Sequence, residues 1–428
     1  MSSAIYAVLS RLCLPFVFGY LLIRGLFDAS YRDRRRERFG FVPKGLPKDC
    51  IWVHTVSAGE AIASIPVVEF LLDFYPDSGV LVTATTPTGS KAIVSRFGDR
   101  VGHCYAPYDI PWSVRRFVSS TRPCALFLVE TELWPNLVRA TARMGAPVYL
   151  INARLSGKSA RGYSRLGDLT SATLEHVQGI ACQYDDSEAR FKDLGVPSDK
   201  IRTTGSIKFD VGSPPPLPKK VSETMEQLRA RTANLWIAGS THPTEEEVVL
   251  AAHLQIRAAL PDTILILAPR HVNRCSDVLS LCNRYGLKSS MIGNANKDSE
   301  VLIVDQMGVL FGLYRFAKAA FIGGSLEGTG GHNPIEAALH GVPVAMGPDR
   351  RNFEEICKRF AQNRCLNDIG NATDLSRTIT RLLNDHEEWK HQSHNVREVV
   401  RENQGALDRL KSTISAWMPV IPSSPTAT

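Results

Sequence analysis

Short apolar runs, each followed by an amphipathic stretch of helical period, recur along this chain in two groups separated by a proline-rich break. The first group lies at 51–56, 80–84, 125–129, 148–151 and 179–182, and the second at 235–238, 263–268, 301–304, 319–322 and 342–345. Runs this short and this uniformly apolar suit strands buried on both faces of a parallel sheet, with the helical stretches covering those faces. The expected fold is therefore α/β, with two doubly wound, Rossmann-like domains whose ligands bind beyond the C-terminal ends of the strands. The break, Gly212-Ser-Pro-Pro-Pro-Leu-Pro-Lys-Lys220, has three consecutive prolines that exclude helix and sets the boundary. A length of 428 residues agrees with two cores. The expected organisation is a membrane-anchor or interfacial segment at 1–30, a first domain at 31–211, a linker at 212–220, a second domain at 221–400 and a C-terminal helix and tail at 401–428. The amphipathic helices at 374–417 are placed to pack back across the first domain, and 418–428 is expected to fray.

The formal charge of +7 is modest, and much of it sits in Arg32, Arg34, Arg35, Arg36 and Arg38, directly behind an apolar segment. That placement suits membrane phosphates. A nucleic-acid protein would spread cations over a face with interleaved aromatics, a pattern not found elsewhere in the chain. The 9 cysteines are scattered and show no Cys-x-x-Cys spacing, which indicates neither a zinc site nor a disulfide framework and fits a reducing cytoplasm. Segment 4–27 is about long enough to span a bilayer, but Arg11, Pro15 and Arg24 interrupt it. It reads either as a single anchor followed by cytoplasmic arginines or as an amphipathic segment lying in the interface. It carries no clear signal-peptide cleavage site.

The richest candidate for chemistry is Phe321-Ile-Gly-Gly-Ser-Leu-Glu-Gly-Thr-Gly-Gly-His-Asn-Pro-Ile-Glu336, which reads as strand, glycine-rich loop and helix start. Its glycines are expected to let the main chain approach a ligand. Pro334 suits a first helical turn, leaving the donors from Asn333 onward to face an anion. Glu60, in His54-Thr-Val-Ser-Ala-Gly-Glu60, stands at a strand end and a helix start, where it is either a general base or a first-turn glutamate on a helix dipole. Glu130 and Glu132 follow another strand. Lys208 precedes the linker, either facing an interdomain cleft or solvated. Segment 82–89 is hydroxyl-rich but lacks the lysine and spacing of a Walker A loop, so ATP hydrolysis is not supported. Segments 238–247 and 268–271 end two further strands, the latter with an arginine suited to phosphate or carboxylate. No metal-binding pattern is found.

Eight ordered motifs, at 54–60, 83–89, 130–136, 152–156, 204–210, 240–242, 269–271 and 331–336, together resemble those of bacterial Kdo transferases. These lipopolysaccharide enzymes use CMP-activated 3-deoxy-D-manno-octulosonic acid. The resemblance runs through nearly the whole chain and implies a GT-B fold, two Rossmann-like domains facing across a cleft, with acceptor on the first and nucleotide sugar on the second. Carried onto this sequence, it implies Glu60 as catalytic base, Glu130 and Lys208 as transition-state supports, and CMP contacts at Pro269, Arg270, Met307, Gly308, Val309, Asn333, Pro334, Ile335 and Glu336. Val309 stands where the family often has glutamate, Ala317-Lys318 where it commonly has Ala-Asp, and 327–330 varies the glycine loop.

The resemblance further implies metal-independent, inverting transfer of Kdo from CMP-Kdo to the tetraacyl-disaccharide precursor of lipid A. The location implied is the cytoplasmic face of the bacterial inner membrane, in contact with its phospholipid and not with nucleic acid. Two rivals remain at this point: another GT-B transferase acting on a membrane lipid, and a non-catalytic two-lobed ligand-binding protein. The number of Kdo residues added is not legible in the motifs.

Overall fold

A computed structural model of the protein describes residues 1–419 except positions 28, 211, 213 and 233. The chain divides into two compact units, one of Met1–Val211 with Gln404–Thr428 and the other of Gly212–Asn403. Each is built on a parallel sheet that has seven strands among the described residues.

In the first unit the strands are β1 Ile51–His54, β2 Val80–Ala84, β3 Gly102–Tyr105, β4 Ala125–Val129, β5 Val148–Ala153, β6 Val177–Cys182 and β7 Ile201–Thr203. Their order is β3-β2-β1-β4-β5-β6-β7. In the second they are β8 Leu235–Thr241, β9 Ile264–Pro269, β10 Ser289–Met291, β11 Val301–Ile303, β12 Ala319–Ile322, β13 Val344–Met346 and β14 Leu366–Asp368, in the order β10-β11-β9-β8-β12-β13-β14. All ten expected strands form, within a few residues of their expected limits. The four that the apolar runs missed are β3, β7, β10 and β14, which are the four sheet edges. An edge strand has one paired neighbour and less cover, so it does not need an apolar run, and Ile201–Thr203 buries only its first residue. The inner strands β1, β2, β4 and β5 are buried throughout. Their alternate residues feed the two cores of the first unit, Val53 and Phe127 on one face and Trp52 and Leu126 on the other.

Of the helices expected at 374–417 to pack back across the first domain, Ala372–Asn384 and His386–Asn403 belong to the second unit, and only the last, Ala406–Trp417, belongs to the first. Asp210 holds its start, accepting hydrogen bonds from the backbone of Gly405 (2.8 Å) and Leu407 (2.7 Å). Trp417 stacks on Tyr149 at 4.8 Å, over Gly179, where a Cβ would stand 2.5 Å from the indole. Met418, expected to fray, is instead buried, and its carbonyl accepts the Tyr75 hydroxyl. The rest of the expected tail, from 420 onward, lies outside the described residues, as do positions 211 and 213 at the expected linker.

At the N-terminus two helices, Ser3–Leu12 and Leu14–Phe27, meet at a bend. No single helix among the described residues is long and apolar enough to cross a membrane; the pair passes that test together, bent by 43°. Ile5, Val8, Leu12, Phe16, Ile23 and Leu26 are exposed on them. Tyr6 ties the first helix to the body by donating to Asp109 (2.9 Å), whose carboxylate also accepts from the backbone of Asn136 and Leu137. Burial pushes the Asp109 carboxyl up to about 6.

The arginine cluster is not uniformly a solvated face. Arg38 is buried, donating to the Thr85 carbonyl and lying 4.0 Å over the Tyr105 ring. Arg34 is held by Glu37 (2.7 Å) and Ser90 (3.1 Å), and Glu37 in turn accepts from the Tyr105 backbone. These two arginines tie their segment to β2, β3 and the helix Pro87–Phe97.

Candidate active site

Glu60 stands in the first turn of the helix Ala58–Phe74, which follows β1. The helix starts with a capping box: the Ser57 hydroxyl accepts from the Glu60 backbone (3.2 Å), and the Glu60 carboxylate accepts from the Ser57 backbone (3.3 Å). That carboxylate also accepts from the Ser57 hydroxyl and the Val56 backbone, both at 2.7 Å. The first-turn reading is met by these bonds. Only 8% of Glu60 is exposed, and burial, together with the nearby Glu130 charge, pushes its carboxyl up to about 7 against the pull of the Val56 and Ser57 donors. A carboxylate poised near neutrality exchanges protons most effectively at physiological pH.

Glu130 follows β4 at φ 60°, in the left-handed region where a non-glycine residue costs about 1 kcal/mol or more. This twist lets its backbone N–H continue the ladder to Ile151 (2.9 Å) while the carboxylate meets Lys208 at 2.5 Å. Burial opposes the ionised form of Glu130, but Lys208 and then Arg154 outweigh it and hold the carboxyl below its usual range. Lys208 is thus a paired lysine, not a solvated one. Glu132 takes no part in this pair; it accepts from the Trp134 indole (2.9 Å), and burial raises its carboxyl.

Two residues that the motifs contained without a role support the pair. Asn152, at the end of β5 with φ 51°, is fully buried and accepts from the Ile207 backbone (3.2 Å), which fixes the turn carrying Lys208. Arg154 supplies the second positive charge beside Glu130. Their signal in the sequence was only their place in the 152–156 motif. The hydroxyl-rich segment after β2 proves structural: Thr83 satisfies Trp52 and His54, Thr85 donates to Val56, and Thr86 caps the next helix. His54 is fully buried, and burial pushes its imidazole down to about 3, so it stays neutral.

The second unit gathers its candidates at the C-terminal ends of β11, β9, β8 and β12, four adjacent strands. Arg270 follows β9, exposed, its backbone paired to Thr241 (2.9 Å). Met307 and Gly308 are exposed beyond β11, whereas the Val309 side chain is buried in the core, so this position offers a ligand its backbone and not its side chain. In the 331–336 motif Asn333 donates to Glu336 (3.3 Å), and burial raises the Glu336 carboxyl.

Two expectations for the glycine loop are corrected. Pro334 does not occupy the first helical turn: it precedes the helix Ile335–Leu339, and the Ile335 N–H is taken by the Asn333 side chain (3.0 Å). The glycines also serve the protein itself before any ligand. A Cβ on Gly323 would stand 2.4 Å from the Ser240 carbonyl, and one on Gly330 would stand 2.6 Å from the Asn352 amide.

What shapes this loop is Glu245, which the sequence reading did not single out. Fully buried, its carboxylate accepts from the backbones of Gly324 (2.7 Å), Ser325 (2.9 Å), Leu326 (3.0 Å) and His242 (3.0 Å). Beside it three histidines from three motifs converge. His242 and His332 stack at 5.2 Å with their Nε2 atoms 2.9 Å apart, and His271 meets His242 edge-on at 6.3 Å. Burial, then Arg270, pushes His332 down to about 4. His242 and His271 follow β8 and β9, whereas His332 closes the glycine loop after β12, so only the tertiary structure reveals that they are neighbours.

Two doubly wound parallel sheets in one chain, each with charged or glycine-rich strand ends on its C-terminal edge, define the GT-B class of α/β protein. Solved structures agree on the fold. A putative UDP-N-acetylglucosamine 2-epimerase of Listeria monocytogenes superposes with a TM-score of 0.60 at 17% identity, over 86% of this chain and 96% of that one. The UDP-GlcNAc 2-epimerase of Neisseria meningitidis gives 0.59 at 15% identity, over 86% and 99%.

Sequence comparison narrows the class. Residues 33–211 match the family model described as 3-deoxy-D-manno-octulosonic-acid transferase (kdotransferase). A 3-deoxy-D-manno-octulosonic acid transferase of Haemophilus influenzae is 33% identical over 96% of this chain and 98% of its own length, and one of Bordetella pertussis is 30% identical over 86% and 87%. The chain belongs to the 3-deoxy-D-manno-octulosonic acid transferase family.

Proposed function

We propose that this protein transfers Kdo from CMP-Kdo to a hydroxyl of the tetraacyl-disaccharide precursor of lipid A, with inversion, at the cytoplasmic face of a bacterial inner membrane. Membership of the family supports the sugar. The observation that carries the chemistry is Glu60, a buried carboxylate poised at about 7 beside an ionised Glu130–Lys208 pair.

In this reading the acceptor oxygen attacks the anomeric carbon of Kdo while the bond from that carbon to the CMP phosphate breaks. The hydroxyl proton passes to Glu60, and the leaving CMP takes the bonding electrons. The sugar carries positive charge in the transition state, as in glycoside chemistry generally. Glu130 stabilises that charge, and Lys208 contacts the sugar carboxylate or leaving phosphate. Pro269, Arg270, Met307, Gly308, Val309, Asn333, Pro334, Ile335 and Glu336 form the CMP site: Arg270 meets the phosphate, Met307–Val309 contributes backbone, and Glu336 accepts from ribose hydroxyls. With Arg270 and Lys208 supplying the cations, the transfer proceeds without a metal ion. The apolar face of the first two helices lies among inner-membrane phospholipids, which supports an acceptor held by its acyl chains.

The test is mass spectrometry of the lipid product after purified protein is incubated with CMP-Kdo and the tetraacyl precursor in the presence of EDTA. One or more Kdo increments are expected. Intact CMP-Kdo binding with no increment would overturn the acceptor assignment, and dependence on added divalent metal would overturn the metal-free mechanism.

A further inference from the structure

Beyond the transfer chemistry, the first unit contains a cavity of about 770 Å³ with an unusual charge balance. Six cationic side chains line it: Arg32, Arg34, Arg35, Arg36, Lys44 and Arg116. Glu37 is the one carboxylate among its lining residues, and that carboxylate is already engaged by Arg34 and the Tyr105 backbone. So many like charges around one space repel one another unless an anion enters.

Several of these cations are positioned in advance. Arg34 is fixed by Glu37, Ser90 and the His103 carbonyl. Arg116 donates to the Phe39 carbonyl (3.3 Å) and lies 4.0 Å over the Phe41 ring, which Arg36 also approaches at 4.8 Å. The Nε of Arg35 is buried with no hydrogen-bond partner among the described residues. Guanidinium groups on a rigid frame, with the Arg35 Nε donor unused, match the several oxygens of a phosphate monoester better than a single-point anion.

The surroundings say what carries the phosphate. The helix Leu14–Phe27 ends against this segment, where a Cβ on Gly25 would stand 2.9 Å from the Arg32 side chain. Ile23 and Leu26, on that same last stretch of helix, are 59% and 79% exposed. An apolar surface and an anion pocket thus adjoin. On the other side Ser90, which Arg34 contacts, follows Gly89, whose Cβ position lies 3.4 Å from the backbone of Ser57, the residue whose hydroxyl caps the Glu60 helix.

We infer that this arginine cavity is a binding site for a lipid-borne phosphate monoester, gripped by Arg35, Arg36, Lys44 and Arg116 while the lipid's chains lie against the exposed face of the helix Leu14–Phe27. The inference rests on the membrane-facing part of the proposed function, and it assigns to that face a pocket with chemical preference in place of diffuse attraction to negative charge.

The test is flotation of the full chain with phosphatidylcholine vesicles containing either phosphatidic acid, a phosphate monoester, or phosphatidylglycerol, a diester, adjusted to equal surface charge. Wild-type protein should bind the monoester vesicles about tenfold more tightly, the size of one charge-assisted hydrogen bond. Arg36→Glu/Lys44→Glu should erase that preference. Arg100→Glu/Arg143→Glu, the same charge change on exposed positions of the same unit, should keep it. Equal loss in both variants, or no preference in the wild type, would overturn the pocket. Release by inorganic phosphate at concentrations equal to the lipid phosphate would show a free-phosphate site and overturn the lipid assignment. Flotation reads no transfer, so Kdo transfer measured separately in detergent micelles distinguishes failure of the pocket from failure of the proposed reaction.

Discussion

The two units share one architecture and place their candidate residues on the same edge of the sheet, yet they prepare those edges in opposite ways. The first concentrates charged groups from the ends of different strands: Lys208 and Arg154 hold the Glu130 carboxyl down, and burial with the Glu130 charge pushes the Glu60 carboxyl up. The second spends the fully buried Glu245 on four backbone N–H groups, holds the equally buried Glu246 against Arg274 with its carboxyl pushed by burial up to about 7, and keeps the neighbouring His332 neutral. The first edge sets two carboxylates beside a lysine and an arginine, and the second commits a carboxylate to the shape of its glycine loop. The difference shows that a doubly wound sheet supplies location alone, and that burial and pairing at each strand end decide the chemistry.

Substitutions that act on one edge without the other test this division. The largest effect is expected from Glu60→Gln, which should lower transfer by about a thousandfold while CMP-Kdo affinity stays unchanged, measured by single-turnover kinetics and calorimetry. It should also change stability with a definite sign. The folded-state value of about 7 lies above the ordinary carboxylate value, so the contribution of Glu60 is fully present below the ordinary value and is lost as pH rises through 7. The Gln variant should therefore be more stable than wild type at pH 8, by about 1–3 kcal/mol in denaturant titration, and not at pH 4.

Lys208→Met comes next. It leaves the largely buried Glu130 with Arg154 alone, and transfer should fall about a hundredfold with donor affinity nearly kept. A loss of similar size in donor affinity instead would move Lys208 to a binding role.

Glu245→Ala addresses the other edge. Four backbone donors lose their acceptor, so CMP-Kdo affinity should fall at least about thirtyfold, whereas Glu60 should retain its titration, followed by the pH dependence of transfer at saturating donor. A shift of that titration would break the division between the edges.

A smaller effect, about tenfold in donor affinity, is expected from Arg270→Ala, because the arginine is exposed and partly screened. Unchanged affinity would remove it from the phosphate site. The smallest is Ser57→Ala, which deletes a hydrogen bond to the charged form of Glu60 and a helix cap. The rising limb of the pH–rate profile should move up by about half a unit to one unit, with about 1 kcal/mol of stability lost.

Much of this was legible in the chain. Inner strands buried on both faces must be apolar, so the ten inner strands announced themselves. The edges β3, β7, β10 and β14 did not, because the constraint that marks a strand is weaker with one neighbour missing. Glu60 was visible just beyond a strand end, but its burial and the upward shift of its carboxyl were not. Of the hydroxyls at 82–89, those of Thr83, Thr85 and Thr86 are consumed by side-chain, ladder-edge and capping bonds.

The sequence by itself determined the sheet type, the division into two groups of strands, and the positions where strand ends carry charge or glycine, since these follow from period and local conformational preference. Only the tertiary structure decided that Lys208 pairs with Glu130, that Glu245 pins the glycine loop, that three distant histidines touch and that six cations share one cavity. Those facts depend on strand order and on the exclusion of water, and neither is written in the spacing of residues along the chain.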